Sequence, residues 1–217
     1  MEKQLAASPI HAEGIGSDLI MRHVEIVGVS PLLMNAMSIE TLLGLRPSAG
    51  RKRSRTAQSL SPREEAEGHL HKLPDGTIHM PVTNLLASLI EAGKYVRLDG
   101  KRQISTKDST ILPGLMEIVT PTLPLVTAKG EPVRWETDVR QGRNPNGGEA
   151  VCIIRPRIDD WKFDLTIRID TSTISELLIR NLFDIAGSRC GLCDFRPQRK
   201  GTFGRFVVNK WQENGDA

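Results

Sequence analysis

Aromatic residues are scarce in this chain: five Phe, three Trp and one Tyr make up 4% of its 217 residues. A core of this composition is aliphatic, and a nucleic-acid-binding sheet that stacks bases on several aromatic side chains is disfavoured. Cysteine is equally sparse. Cys152, Cys190 and Cys193 are odd in number and lack the spacing of a disulfide framework, which points to a reducing, cytoplasmic setting. No run approaches the roughly 18 apolar residues of a membrane span. Met1-Glu2-Lys3-Gln4 leads into no apolar signal core, so no membrane partner is expected. A large excess of one charge is also missing. The 29 Lys and Arg against 26 Asp and Glu leave a net +3, so only their distribution can argue for an anionic partner.

What is present is 39% hydrophobic residues, enough for a core, in a pattern that predicts alternating strands and helices. Residues 1–18 have little periodicity and are expected to form a flexible N-terminal arm, with a tail at 213–217. The span 19–212 is expected to be a single RRM-like domain with insertions at about 36–76 and about 127–157. Val24, Ile26 and Val29 with Gly28 predict a first strand with a bulge. The stretch LRPSAGRKRSRTAQSLSPREEAEG (45–68) is too polar to fold alone and predicts a mobile loop, with a short helix at Pro62–Glu67. Thr77–Met80 predicts a short strand, and Pro81-Val82-Thr83-Asn84 opens a helix with Leu85, Leu86, Leu89 and Ile90 on one face, ended by Gly93.

Residues 97–113 read as a polar loop, and Leu115–Val126 as an edge strand because of Pro121 and Pro124. Val133–Val139 and Ala150–Pro156 flank a turn-like Arg143–Gly148 and predict a long β-hairpin. Trp161, Phe163, Leu165, Ile167 and Ile169 alternate with Lys162, Asp164, Thr166 and Arg168, the signature of a strand with one buried face. Thr173-Ile174-Ser175-Glu176 matches a capping box ahead of a helix with Leu177, Leu178, Leu182, Ile185 and Ala186 on its core face. Phe203–Trp211 is the last strand. Without insertions the order is strand, helix, strand, strand, helix, strand. That predicts an α+β fold of ferredoxin-like, RRM-type topology, an antiparallel sheet with helices on one face, carrying a basic loop insertion and a long β-hairpin, or thumb.

Three segments carry a family likeness. HMPVTNLLASLI (79–90), RQGRNPNGGEAVCIIRPRIDDWKFDLTIRI (140–169) and GLCDFRPQRKGTFGRFVV (191–208) stand in this order along the predicted topology. They resemble, respectively, the entry to the first helix, the thumb with its following strand, and the glycine-rich loop of the RAMP superfamily of CRISPR effector backbone subunits, especially those of type III complexes. Leu86, Ala87 and Ile90 stand where that family often has Lys, Gly and Arg, and Pro197-Gln198 lengthens the loop. The resemblance implies an RNA-binding subunit that oligomerises head to tail along a guide RNA. Its partners would be that guide, a complementary nucleic-acid target, copies of itself and other effector subunits.

Several residues predict contacts to phosphate. Arg189, Arg196, Arg199, Lys200 and Arg205 lie in a loop with Gly187, Gly191, Gly201 and Gly204, where glycine lets a backbone approach a ligand closely. Arg46, Arg51, Lys52, Arg53 and Arg55 form the densest basic run, expected to order on a polyanion. The proposed hairpin carries Arg134, Arg140, Arg143, Arg155 and Arg157, of which Arg140 and Arg143 flank its tip.

Nothing comparable argues for catalysis. Asp159 and Asp160 are adjacent at a strand start and point to opposite faces, and no acid or nucleophile is expected beside His23. Type III relatives cut RNA with an Asp after the first strand, and 35–68 contains only Glu40, Glu64, Glu65 and Glu67. Cys190-x-x-Cys193 lacks the second pair that zinc needs, since His69 and His71 lie far off in sequence, so the thiols read as small apolar groups. No metal, no cofactor and no catalytic residue is expected. Three other readings remain: a standalone single-stranded nucleic-acid-binding protein of a phage or mobile element, an RNA-processing endonuclease of the same superfamily using His23, His69 or His79, and a structural assembly protein.

Overall fold

A computed structural model describes residues 18–37, 60–143 and 148–213. Strand β1 (Leu19–Gly28) is central to a four-stranded antiparallel sheet with β6 (Met116–Ile118), β10 (Lys162–Asp170) and β11 (Phe206–Glu213) in the order β11-β1-β10-β6. Helix α2 (Val82–Ala92) falls between β1 and β6, and α3 (Glu176–Ile185) between β10 and β11. Counting only these four strands, the spatial order is 4-1-3-2 with two helices on one face. The fold is α+β and ferredoxin-like.

Alternation explains the layering. Val24 and Ile26 of β1 pair with Leu165 and Phe163 of β10, and all four are buried with Ile167, Ile169 and Val208 against Leu85 and Leu89 of α2 and Leu182 and Phe183 of α3. The opposite face carries His23, Glu25, Lys162, Asp164, Thr166 and Arg168. Phe, Tyr and Trp are absent from that face among the described residues. A register shift in the β1–β11 pairing, the bulge, lies at Glu25/Ile26 and not near Gly28.

One strand is added and three other expectations are corrected. The chain leaves β1 for β2 (Leu32–Leu33), which joins β8 (Glu136–Arg143) and β9 (Ala150–Ile158) in a second sheet, order β2-β9-β8. Residues 97–113 are no plain polar loop, because β4 (Arg97–Leu98) and β5 (Arg102–Gln103) form a small hairpin and Ile104 and Leu112 join the core. The expected edge strand is two short pieces: β6 extends the main sheet, whereas β7 (Leu123–Pro124) pairs with β3 (His79–Met80). In α3, Leu177 is 78% exposed and the core stripe is Ile179, Leu182, Phe183 and Ala186, since two residues before Ile179 is about 200° round the helix.

The start of α3 also differs from expectation. Ser175 is the N-cap, its hydroxyl accepting from the Leu178 amide. Glu176 instead accepts two bonds from the Arg22 guanidinium at 2.7 and 2.8 Å and one from Trp211 Nε1 at 2.6 Å, tying β1, α3 and β11 together. These donors, the Arg22 bond first, hold the Glu176 carboxyl below its usual range. A full capping box forms at the short helix α1 (Pro62–Gly68), where the Glu64 amide donates to the Ser61 hydroxyl and the Ser61 amide to the Glu64 carboxylate. That reciprocal cap, worth about 1 kcal/mol, lets so short a helix persist.

Candidate nucleic-acid interface

The loop from α3 to β11 begins as one π-helical turn at Ala186–Cys190, passes Gly191 at φ +73°, and makes a 3-10 turn at Pro197–Arg199 before Gly204 at φ +68°. All four glycines named above are buried, and each is required by a close approach within the protein. A Cβ on Gly187 would lie 2.1 Å from the Phe206 carbonyl oxygen, on Gly191 2.7 Å from Pro197 Cδ, on Gly201 1.6 Å from the Phe195 oxygen and on Gly204 2.0 Å from the Leu192 oxygen. The glycines thus let the loop fold tightly on itself, and it is the cations of the loop that favour an anion.

Those cations are anchored in an unusual way. Arg196 donates from Nη1 to the Cys193 carbonyl at 2.5 Å and from Nε to Gln198 at 3.0 Å, Arg205 bonds the Ser188 carbonyl, and Arg189 lies 5.5 Å over the Tyr95 ring. Carbonyls orient a guanidinium without cancelling its charge. Arg199 and Lys200 are exposed, with no ion pair among the described residues. In this loop the single acid, Asp194, pairs with Arg155 of β9.

Contacts across long sequence separations bring three elements to this loop. The Cys193 amide donates to Asn84 Oδ1 at the start of α2 at 3.0 Å, and the Asp194 amide to the Leu33 carbonyl of β2 at 3.0 Å. The Arg140 guanidinium of β8 lies 4.5 Å over the Phe203 ring. Where the loop meets the start of α2 and the segment after β2 is a polar cavity of about 200 Å³ lined by Asn35, His71, Asn84, Cys193, Asp194 and Arg196. A second, of about 290 Å³, shares His71, Asn84 and Arg196 and reaches Pro81 and Thr83. Pro81 caps α2 without a side-chain bond, and no acid lies in the first turn, so the positive end of the helix dipole adds to Arg196. Burial, then the nearby His79 ring, lowers the His71 pKa.

On the hairpin, Arg140 pairs with Asp138, Arg157 with Asp159 and Arg155 with Asp194, whereas Arg143 is exposed beside the tip. Arg46, Arg51, Lys52, Arg53 and Arg55 lie outside the described residues. His23 is corrected: its Nε2 is 3.4 Å from Asp164 Oδ1, a diagonal cross-strand neighbour on the same face. Asp159 and Asp160 have separate structural partners, Arg157 and the Ala128 amide. Burial pushes the Cys190 thiol up to about 11 and the Cys193 thiol to about 12, and Cys193 Sγ packs 3.8 Å from Met80 Sδ. Both are protonated, packed thiols. Asn35, His71 and Asn84 were not singled out as site residues from the sequence. Asn84 lies within HMPVTNLLASLI, but only folding sets it beside Cys193.

The fold and this loop-centred site define a ferredoxin-like α+β protein with a thumb-like hairpin. No family model and no curated protein matches the sequence. Among solved structures, one similar chain is in the cryo-EM structure of the Type III-B Cmr-beta bound to cognate target RNA, at 13% identity and a TM-score of 0.48, covering 90% of this chain and 60% of that one. This chain therefore spans less than two thirds of that neighbour's length. Among the described residues, no helix is long and apolar enough to cross a membrane.

Proposed function

We propose that this chain is an RNA-binding backbone subunit of a RAMP-like, CRISPR-type ribonucleoprotein. It holds single-stranded RNA by its phosphates along the glycine-rich loop, with the hairpin on one side and the start of α2 on the other. The observation that carries this reading is the set of loop cations, oriented by carbonyls or left exposed, one of which, Arg196, lines a polar cavity at a helix N-terminus. Phosphate contacts of this kind position a strand without reading its sequence. The three motif segments support the family, and the lack of Phe, Tyr and Trp on the open sheet face disfavours base stacking of the ordinary RRM kind.

The test is fluorescence anisotropy of a labelled single-stranded RNA titrated with protein from low to high salt. Affinity is expected to fall steeply, with a slope of about −0.7 in log K against log salt for each phosphate contacted. Weak dependence on sequence is also expected. No binding at low salt, or binding indifferent to salt, would sink the reading. The backbone-subunit part adds head-to-tail association that RNA lengthens, because each added copy gains phosphate contacts as well as a protein interface. Light scattering with and without nuclease reads this. A monomer unaltered by RNA leaves the standalone single-strand binder as the better reading.

A further inference from the structure

Phe195 is held in a conformation that folding alone does not favour. Its side chain is 41% exposed, whereas Phe203, the other aromatic residue of the loop, is buried. Its backbone lies at φ +47°, a left-handed region in which a bulky residue is strained and Gly or Asn is the ordinary occupant. The surroundings enforce the strain. The Phe203 amide donates to the Phe195 carbonyl at 3.2 Å, and Gly201 packs so closely on that carbonyl that no Cβ fits there. The two rings are 6.1 Å apart at 45°, and the Arg140 guanidinium covers Phe203, so the pair is backed by protein on one side. Arg199 and Lys200 are exposed in the turn that follows, four and five residues on, just ahead of the Gly201 that packs on the Phe195 carbonyl.

An exposed aromatic on a rigid, strained support, with exposed cations in the next turn of the same loop, matches a nucleic-acid strand in both of its chemistries. Bases offer a π face for stacking and phosphates a charge for Arg and Lys. Resting on the RNA-binding reading above, we propose that Phe195 is a stacking platform for one nucleobase of the bound single strand, with Arg199 and Lys200 holding adjacent phosphates. The contact needs no particular base, since every base has a π face. It explains how a chain poor in aromatics grips bases outside its sheet.

The test compares wild type, Phe195→Ala and Phe195→Trp on two labelled ligands, a mixed-sequence single-stranded RNA and an abasic ribose-phosphate oligomer of equal length. Phe195→Ala is expected to weaken binding of the intact RNA about tenfold. The salt slope should not change, because no phosphate contact is lost. On the abasic oligomer, Phe195→Ala and wild type should bind alike. Phe195→Trp should keep the affinity for intact RNA, which also shows that the loop tolerates replacement. Equal binding of intact RNA by wild type and Phe195→Ala would overturn the platform while leaving the RNA-binding reading standing. An equal loss on both ligands would overturn it too, as damage to the loop. A wild type that binds neither ligand overturns both readings. If Phe195 instead seats a second copy of the chain, Phe195→Ala shifts the sedimentation of the RNA-free protein with RNA affinity intact, and the platform falls.

Discussion

On the open face of the main sheet, Lys162 and Lys210 lie 3.1 and 3.5 Å from Glu25, Arg168 pairs with Glu117, and His23 lies 3.4 Å from Asp164. At the glycine-rich loop, Arg196 and Arg205 donate to main-chain carbonyls, and Arg199 and Lys200 face outward. Both regions are rich in cations. On the sheet each cation sits with a carboxylate, so the field beyond a few ångströms is small. At the loop the donors are satisfied while the charge is kept. A count of Lys and Arg therefore says little about an anionic ligand until their partners are known, and the face that ordinary RRMs use is here the neutralised one.

The largest expected effect is on the loop's scaffold. Gly201→Ala forces a Cβ into the Phe195 carbonyl and should cost about 3 kcal/mol or more, lowering the melting temperature by about 10 °C in a chain of this size. Thermal unfolding followed by circular dichroism checks this, and an unchanged midpoint would mean that the loop is packed differently.

A pair of double variants then sets the two regions against each other. Lys162→Ala with Lys210→Ala strips both cations from Glu25, which is only 4% exposed, and leaves it the Asn209 amide alone. That should cost about 1–3 kcal/mol of stability and leave RNA affinity unaltered. Arg199→Ala with Lys200→Ala should do the reverse. The melting temperature holds, affinity at low salt falls about tenfold, and the salt slope shrinks by about 1.4, the value for two lost phosphate contacts. If the sheet variant weakens RNA binding more than the loop variant, the comparison is inverted and the RNA lies on the sheet.

The smallest effect is that of pH. Burial and then His79 lower the His71 pKa, so the unfolded chain takes up this proton first as pH falls below 6.5. Stability is thus full above that value and declines as pH drops towards the folded-state pKa. Glu25, lowered chiefly by its bond from Asn209, and Glu176, lowered chiefly by Arg22, lose their share only below 4.5. Two steps in melting temperature against pH are expected, and His71→Gln should remove the upper one. An upper step that survives in His71→Gln would assign it to another group.

The legible parts of the fold are those in which a local period reports burial. Strand β10 could be read from Trp161 to Asp170 because every second side chain enters the core, and α2 from its leucine spacing. Leu177 misled because three neighbouring apolar residues, Leu177, Leu178 and Ile179, allow more than one stripe, and packing against the sheet selects one. Short pieces such as β2, β4 and β5 have only two residues each, too few to show a period.

For the site, composition was enough to mark the loop between α3 and β11 as basic and glycine-rich, since both properties belong to the residues themselves. The work of each residue came from tertiary structure. Asn84 meets the Cys193 amide across 109 positions, and Arg22 meets Glu176 across 154, because strand order 4-1-3-2 brings distant segments side by side. Whether a glycine serves a ligand or a neighbouring carbonyl, and whether an arginine keeps its charge or shares it with a carboxylate, depends on atoms that no local pattern specifies. Residue type and spacing determined the longer strands, the helices as elements and the basic character of the loop. Long-range pairing decided which charges stay free, because an ion pair depends on the distance between side chains in the folded chain and not on their separation along it.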